Sequence, residues 1–116
     1  MSYNLDAVLE AIGITPEDTH PQSRRFYDLV IEGMLLHHQK QQDYGNPVDP
    51  FANLTASEEF GVPAWRTALI RLNEKVTRLK SFCRNGSLAN EGVEDSLKDI
   101  GVYAFITLVL REREGA

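Results

Sequence analysis

Apolar side chains recur at helical spacing along almost the whole chain, and no stretch alternates apolar and polar positions long enough to suggest a strand. Leu5, Val8, Leu9 and Ile12 mark a short first helix, with Asn4 placed to cap it and Gly13 to stop it. T-P-E-D at 15–18 follows. Thr at the cap, Pro at the first helical position and acids in the first turn suit a brief helical turn. His20-Pro21 resets the chain, and Phe26, Leu29, Val30, Met34 and Leu36 predict a long helix over 23–42. Y-G-N-P-V-D-P at 44–50 leaves no regular structure available. T-A-S-E at 55–58 has the capping-box pattern of a short helix, ended by Gly61. Pro63 opens the next helix, predicted over 63–83 from the stripe of Trp65, Ala68, Leu69, Leu72, Val76, Leu79 and Cys83; Asn85-Gly86 closes it. A last helix is predicted over 91–112. Four or five helices with moderate loops imply an all-α, antiparallel helical bundle in one domain, 1–116, with 1–22 as a helical arm and 23–116 as the bundle.

The last helix carries the most information. At about 100° per residue, Val93, Leu97, Ile100, Ala104 and Leu108 form one stripe, the expected core face. Asp95 and Asp99 fall on the opposite side, in line with Val102 and Ile106. A helix apolar on opposite sides is packed on both, so the two Asp point toward a second packing surface. A carboxylate buried there has to be paired, metal-bound or protonated. The apolar coverage at 102–110 also exceeds what one small bundle buries. The expectation is a homodimer or higher homo-oligomer with part of this helix at the interface.

Composition narrows the function. With 116 residues, 42% hydrophobic and 25% charged, the chain has the balance of a soluble globular domain. No basic-plus-apolar leader opens it, and the longest uncharged apolar stretch, 100–110, is too short to span a bilayer. One cysteine, Cys83, excludes an intramolecular disulfide. These features point to a cytoplasmic protein without membrane association. The net charge of −5 argues against non-specific nucleic-acid binding. Charge is nonetheless uneven: six bases and one acid fall within 66–84, between acidic flanks. That pattern suggests internal ion pairing or a confined anion site.

Three groups are candidates for chemistry. Asp95 and Asp99 could hold a divalent cation, most plausibly Mg²⁺, which takes a few carboxylates plus waters and phosphate oxygens; the competing reading is an ion pair of Asp99 with Lys75 or Arg78. Arg71, Lys75 and Arg78, spaced i, i+4, i+7, form a basic edge suited to phosphates or, more plainly, a solvated flank. Tyr44, Tyr103 and Trp65 could lie against a base. His37 and His38 are adjacent and face different directions, so at most one joins any site.

The combination of Y-G-N-P with P-F-A-N-L, then L-N-E-K-V-T-R-L, then E-D-S-L-K-D-I-G-V-Y-A resembles the phage and bacterial nucleotide-modification-associated domain. That group is distantly similar to the all-α, MazG-like nucleoside triphosphate pyrophosphohydrolases, and the resemblance covers about 39–110. It implies a MazG-like bundle in a phage-type, nucleotide-related setting, in the host cytoplasm if phage-encoded. MazG-like enzymes hold Mg²⁺ with E-x-x-E on one helix and E-x-x-D on the next. Here Lys75 and Arg78 stand at the first pair, a reversal of charge. At the second, Asp99 is retained, Ser96 replaces the acid and Asp95 is one residue early. Four acids cannot be rebuilt from these residues. The expectation is a nucleotide-binding protein, or a divergent pyrophosphohydrolase, with a degenerate metal motif; the alternative is a non-catalytic helical accessory protein.

Overall fold

A computed structural model describes residues 3–45, 47–87 and 92–114, and the Tyr44 side chain lies outside the described set. Among the described residues there are five α-helices, two 3₁₀ turns and no strand: α1 (Leu5–Ala11), α2 (Pro21–Tyr44), α3 (Ala52–Thr55), α4 (Ala64–Asn85) and α5 (Val93–Arg113), with the 3₁₀ turns at Pro16–Asp18 and Ala56–Phe60. The all-α helical bundle expected from periodicity is what forms.

The chain divides into two compact units, 1–32 and 33–116. In the first, Asn4 caps α1 by accepting from the Ala7 N–H at 3.1 Å, and Gly13 leaves the helix at a φ of 85°. Pro21 does not merely reset the chain. It is the first residue of α2, and His20 Nδ1 accepts from the Gln22 N–H at 3.0 Å. The ring therefore satisfies one of the open donors at that helix start. Asp6 and Arg24 pair at 2.7 Å, and the Tyr3 hydroxyl donates to Asp28 at 2.6 Å.

The second unit contains the site. α4 and α5 form its main packed pair, and they run antiparallel. Ala64 and Ala68 near the start of α4 share a core with Leu110 near the end of α5, while Lys75 further along α4 meets Asp99. Phe51 and Leu54 complete that core, with Trp65, Tyr103 and Ile106 packed against it. Alanine at 64 and 68 lets the helix backbones approach closely, which is why a small core closes here. α5 suits both its ends: Glu94 and Asp95 lie in its first turn and Arg111 and Arg113 in its last, each sign where the helix dipole favours it.

Two local expectations need correction. Thr55 does not cap the following turn with its side chain. It donates instead to Asp49 Oδ2 and to the Ala52 carbonyl, both at 3.3 Å. Asp49 organises this connection: it also accepts from the Phe51 N–H at 2.9 Å and from Arg113 at 3.1 Å. Burial pushes the Asp49 carboxyl up, and these donors together outweigh it and hold the group below its ordinary value. The close turn before it requires glycine, since a Cβ on Gly45 would stand 2.6 Å from the Pro50 carbonyl oxygen.

The second correction concerns the inward face of α5. Within the chain the buried line is Ser96, Asp99 and Leu110, with Tyr103 and Ile106 half-buried between them. Leu97 and Leu108, expected in the core, are each 54% exposed, and Ala104 is exposed with them. Of the stripe read as core, Leu97, Ala104 and Leu108 therefore face outward while Val93 and Ile100 are half-buried, and the side carrying Asp99 faces α4. Burial of Ser96 and Asp99 over leucine becomes affordable because α4 and α2 bring cations to Asp99.

Candidate functional site

Asp99 is the centre of the site. It is 6% exposed and sits between two ammonium groups: Lys75 Nζ of α4 at 3.0 Å from Oδ2 and Lys40 Nζ of α2 at 3.3 Å from Oδ1. The register of the antiparallel pair places Lys75 opposite Asp99, one layer beyond the Ala68–Leu110 core. Lys40 reaches in from the last turns of α2. Burial raises the Asp99 carboxyl, but the hydrogen bond from Lys75 and the two positive charges outweigh that, so the group titrates below its ordinary range. At neutral pH it is a carboxylate.

Around this triad lies a cavity of about 310 Å³. Its polar wall is Lys40, Lys75, Asp99, Arg71, Glu74, His37, Gln41 and Asn53; its apolar wall includes Leu36, Phe51, Leu54, Val102, Tyr103 and Ile106. Arg71 and Glu74 approach each other to 3.5 Å, one turn apart on α4. The His37 ring stacks on Phe51, with centroids 5.6 Å apart and planes at 28°. Arg113 also lies over the Phe51 ring, 5.0 Å from its centroid, and pairs with Asp49. Phe51 is thereby held by contacts from α2 and from the end of α5. The volume is at the small end of ligand pockets, which run roughly from 300 to 1,000 Å³.

Of the residues singled out from sequence, Arg71, Lys75, Asp99, Tyr103 and His37 line this one cavity, and the exposed His38 does not. Arg78 is exposed and is not part of its wall, and Asp95 is exposed in the first turn of α5. Tyr44 lies outside the described side chains. Trp65 packs against the core and stacks with the guanidinium groups of Arg66 and Arg111, at 5.3 and 5.1 Å. Sequence reasoning missed Lys40. It lies 59 positions from Asp99, on a helix of weak apolar patterning, and no local spacing announces it.

Mg²⁺ coordination does not fit the residues as arranged. Among the described residues no group of three or more His, Cys, Asp and Glu side chains converges as a metal site would require. Asp99, the buried carboxylate among the described residues, already has a cation on each oxygen. What the cavity offers chemically is ammonium and guanidinium groups beside aromatic surface, which suits an anion attached to a planar ring. Comparison with protein-family models, with curated proteins and with solved structures found no match to this chain.

Proposed function

We propose that this protein binds a nucleotide in the cavity between the second half of α2, α4 and α5, as a nucleotide-metabolism protein of MazG-like type whose metal motif has become a lysine–aspartate cluster. The observation that supports this reading most directly is the composition of the cavity wall. Lys40, Lys75 and Arg71 converge on a space that Phe51 and Tyr103 also line. Phosphate and base each have a complementary wall. If turnover occurs, the sequence resemblance makes it that of a divergent pyrophosphohydrolase in a phage or bacterial setting.

A thermal-shift screen of nucleoside mono- and triphosphates, with and without Mg²⁺, tests the reading. A ligand at 100 times its dissociation constant adds about 2.7 kcal/mol to stability, a shift of several degrees for a domain of this size. A flat response to every nucleotide in both conditions sinks it.

The second reading is a helical accessory protein acting through protein contacts. Its support is the outward face of α5, where Leu97, Phe105 and Leu108 are exposed together. In that case the Lys–Asp–Lys cluster serves only to fix the register of α2 against α4 and α5. A flat nucleotide screen together with a stable homo-oligomer would favour this reading.

A further inference from the structure

We infer that the ligand of this cavity is a nucleoside monophosphate taken without a divalent cation, its phosphate met by the cationic side chains of the wall. This rests on the nucleotide reading above and narrows it to one class of nucleotide and one mode of binding.

Three observations carry it. The first is the state of the carboxylates. Among the described residues the cavity wall has two, Asp99 and Glu74. Each already lies within ion-pair distance of a cation: Asp99 of Lys75 and Lys40 at 3.0 and 3.3 Å, Glu74 of Arg71 at 3.5 Å. A Mg²⁺ ion bound by either carboxylate would sit beside an ammonium or guanidinium group, and like charges at that separation repel strongly in a half-buried site. Mg²⁺ also gives up its waters reluctantly and needs near-octahedral oxygen ligands. A Mg²⁺ held on the phosphate by these carboxylates is therefore disfavoured.

The second observation is charge balance. Lys40, Lys75 and Arg71 against Asp99 and Glu74 leave the described wall one positive charge in excess. A phosphate monoester carries roughly 1.5 to 2 negative charges at neutral pH, close to what that excess and the surrounding solvent compensate. An unchelated triphosphate brings several charges more, with no further described cation on the wall to meet them. The third is size. About 310 Å³ lies at the small end of ligand pockets, the scale of a small ligand.

Access assigns the roles. The Lys40 side chain is 43% exposed and that of Lys75 18%. Lys40 of α2 and Arg71 of α4, the more exposed cations of the wall, meet the phosphate, while Lys75 holds Asp99 in place. Asp99 positions both lysines. Tyr103 and the His37 ring, half-buried and lining the cavity, present the surface for the base, with the buried Phe51 stacked against His37 as its support.

Isothermal titration calorimetry on the full chain tests this. The probes are the common nucleoside monophosphates and triphosphates, with ribose 5-phosphate and inorganic phosphate as controls, each in EDTA and in excess Mg²⁺. The expected result is that at least one monophosphate binds in EDTA, that Mg²⁺ changes its affinity less than about twofold, and that triphosphates bind more weakly in either condition. Lys40→Ala and Arg71→Ala, both at exposed or half-exposed helix positions, should each weaken binding by roughly tenfold or more with unchanged circular dichroism, as befits loss of a charged hydrogen bond. Binding that requires Mg²⁺, or a Mg²⁺-triphosphate that outcompetes the monophosphate, overturns the inference and leaves the nucleotide reading intact. So does monophosphate binding indifferent to both substitutions. Ribose 5-phosphate or inorganic phosphate binding as tightly as any nucleotide overturns it as well, because the base then contributes nothing. No heat from any nucleotide in either condition overturns the inference and the nucleotide reading together.

Discussion

A single carboxylate, Asp99, sets the energetics of the second unit. Its side chain is 9% exposed and that of Lys75 18%, so removing the carboxylate takes a close counter-charge from an ammonium in a largely dry layer. Breaking such a pair typically costs about 3–5 kcal/mol. Asp99→Ala should fall near the lower end, because Lys40 is open enough to turn to water. Urea unfolding at neutral pH measures this, and a loss below about 1 kcal/mol would mean the pair behaves as a surface contact. The pH dependence has a definite sign. The folded carboxyl titrates below its ordinary value despite burial, because Lys75 and Lys40 stabilise the charged form. A group depressed on folding contributes stability that is complete above its unfolded value of about 3.9 and is lost as the pH falls through the folded one. The advantage of the wild type over Asp99→Asn should therefore hold from neutral pH to about 5 and shrink steadily below about 4. An advantage unchanged down to pH 2 would place its origin outside this titration. Part of the cluster was legible in the sequence, since Asp99 lies on an apolar side of its helix and a basic edge precedes it. Lys40 was not, because a tertiary contact between distant segments leaves no periodic trace.

At the scale of elements, the three long helices emerge within two residues of the predicted ends, for identifiable reasons. Pro21 at the start of α2, Pro63 before α4 and Gly86 after it at a φ of 76° are local signals, and local signals survive folding. The face of α5 was not legible in the same way. Two stripes compete on that helix, Val93–Leu97–Ile100–Ala104–Leu108 and Ser96–Asp99–Tyr103–Ile106–Leu110. Hydrophobicity alone selects the first. The second is the one buried within the chain, because α4 supplies a lysine for Asp99 and two small alanines against Leu110. Leu110 is 2% exposed and joins α3, α4 and α5 in the one shared core. Leu110→Ala should cost about 2–5 kcal/mol, the range for a buried leucine truncated in a core. Leu36→Ala, on the half-buried cavity wall, should cost clearly less. Chemical denaturation of the two variants compares them directly; equal losses would contradict the placement of the core at the Leu110 end.

At the scale of the whole molecule, the expected homo-oligomer takes a testable form, because the sequence of the outward stripe of α5 is compatible with a second copy of itself. Leu97, Gly101, Ala104, Phe105 and Leu108 recur at helical spacing on one side, and all five are exposed; Phe105 is 69% exposed. The small residues lie in the middle, with open space around Gly101, and the large ones toward the ends. Two such helices crossing antiparallel about a two-fold axis between Gly101 and Ala104 would set Leu97 against Leu108 of the second copy and let the backbones approach at the centre. The same register brings Glu94 opposite Arg111 at both ends, so charge and shape select one alignment. Closed two-fold contacts of this kind are self-complementary by symmetry, and a contiguous apolar stripe is otherwise a liability in water. The expected outcome is a dimer by light scattering at micromolar concentration. Leu108→Glu should convert it to a monomer without reducing helicity, since Leu108 faces away from the Lys75–Asp99 layer and the Leu110 core. Glu94→Arg should weaken the dimer, and the double variant Glu94→Arg with Arg111→Glu should restore it in part. Arg111 also stacks on Trp65, so Arg111→Glu alone is measured beside the double variant to separate loss of that stack from loss of the cross-helix pair. A wild-type mass equal to one chain across the micromolar range would refute the pairing, and a dimer indifferent to Leu108→Glu would move the interface off this face of α5.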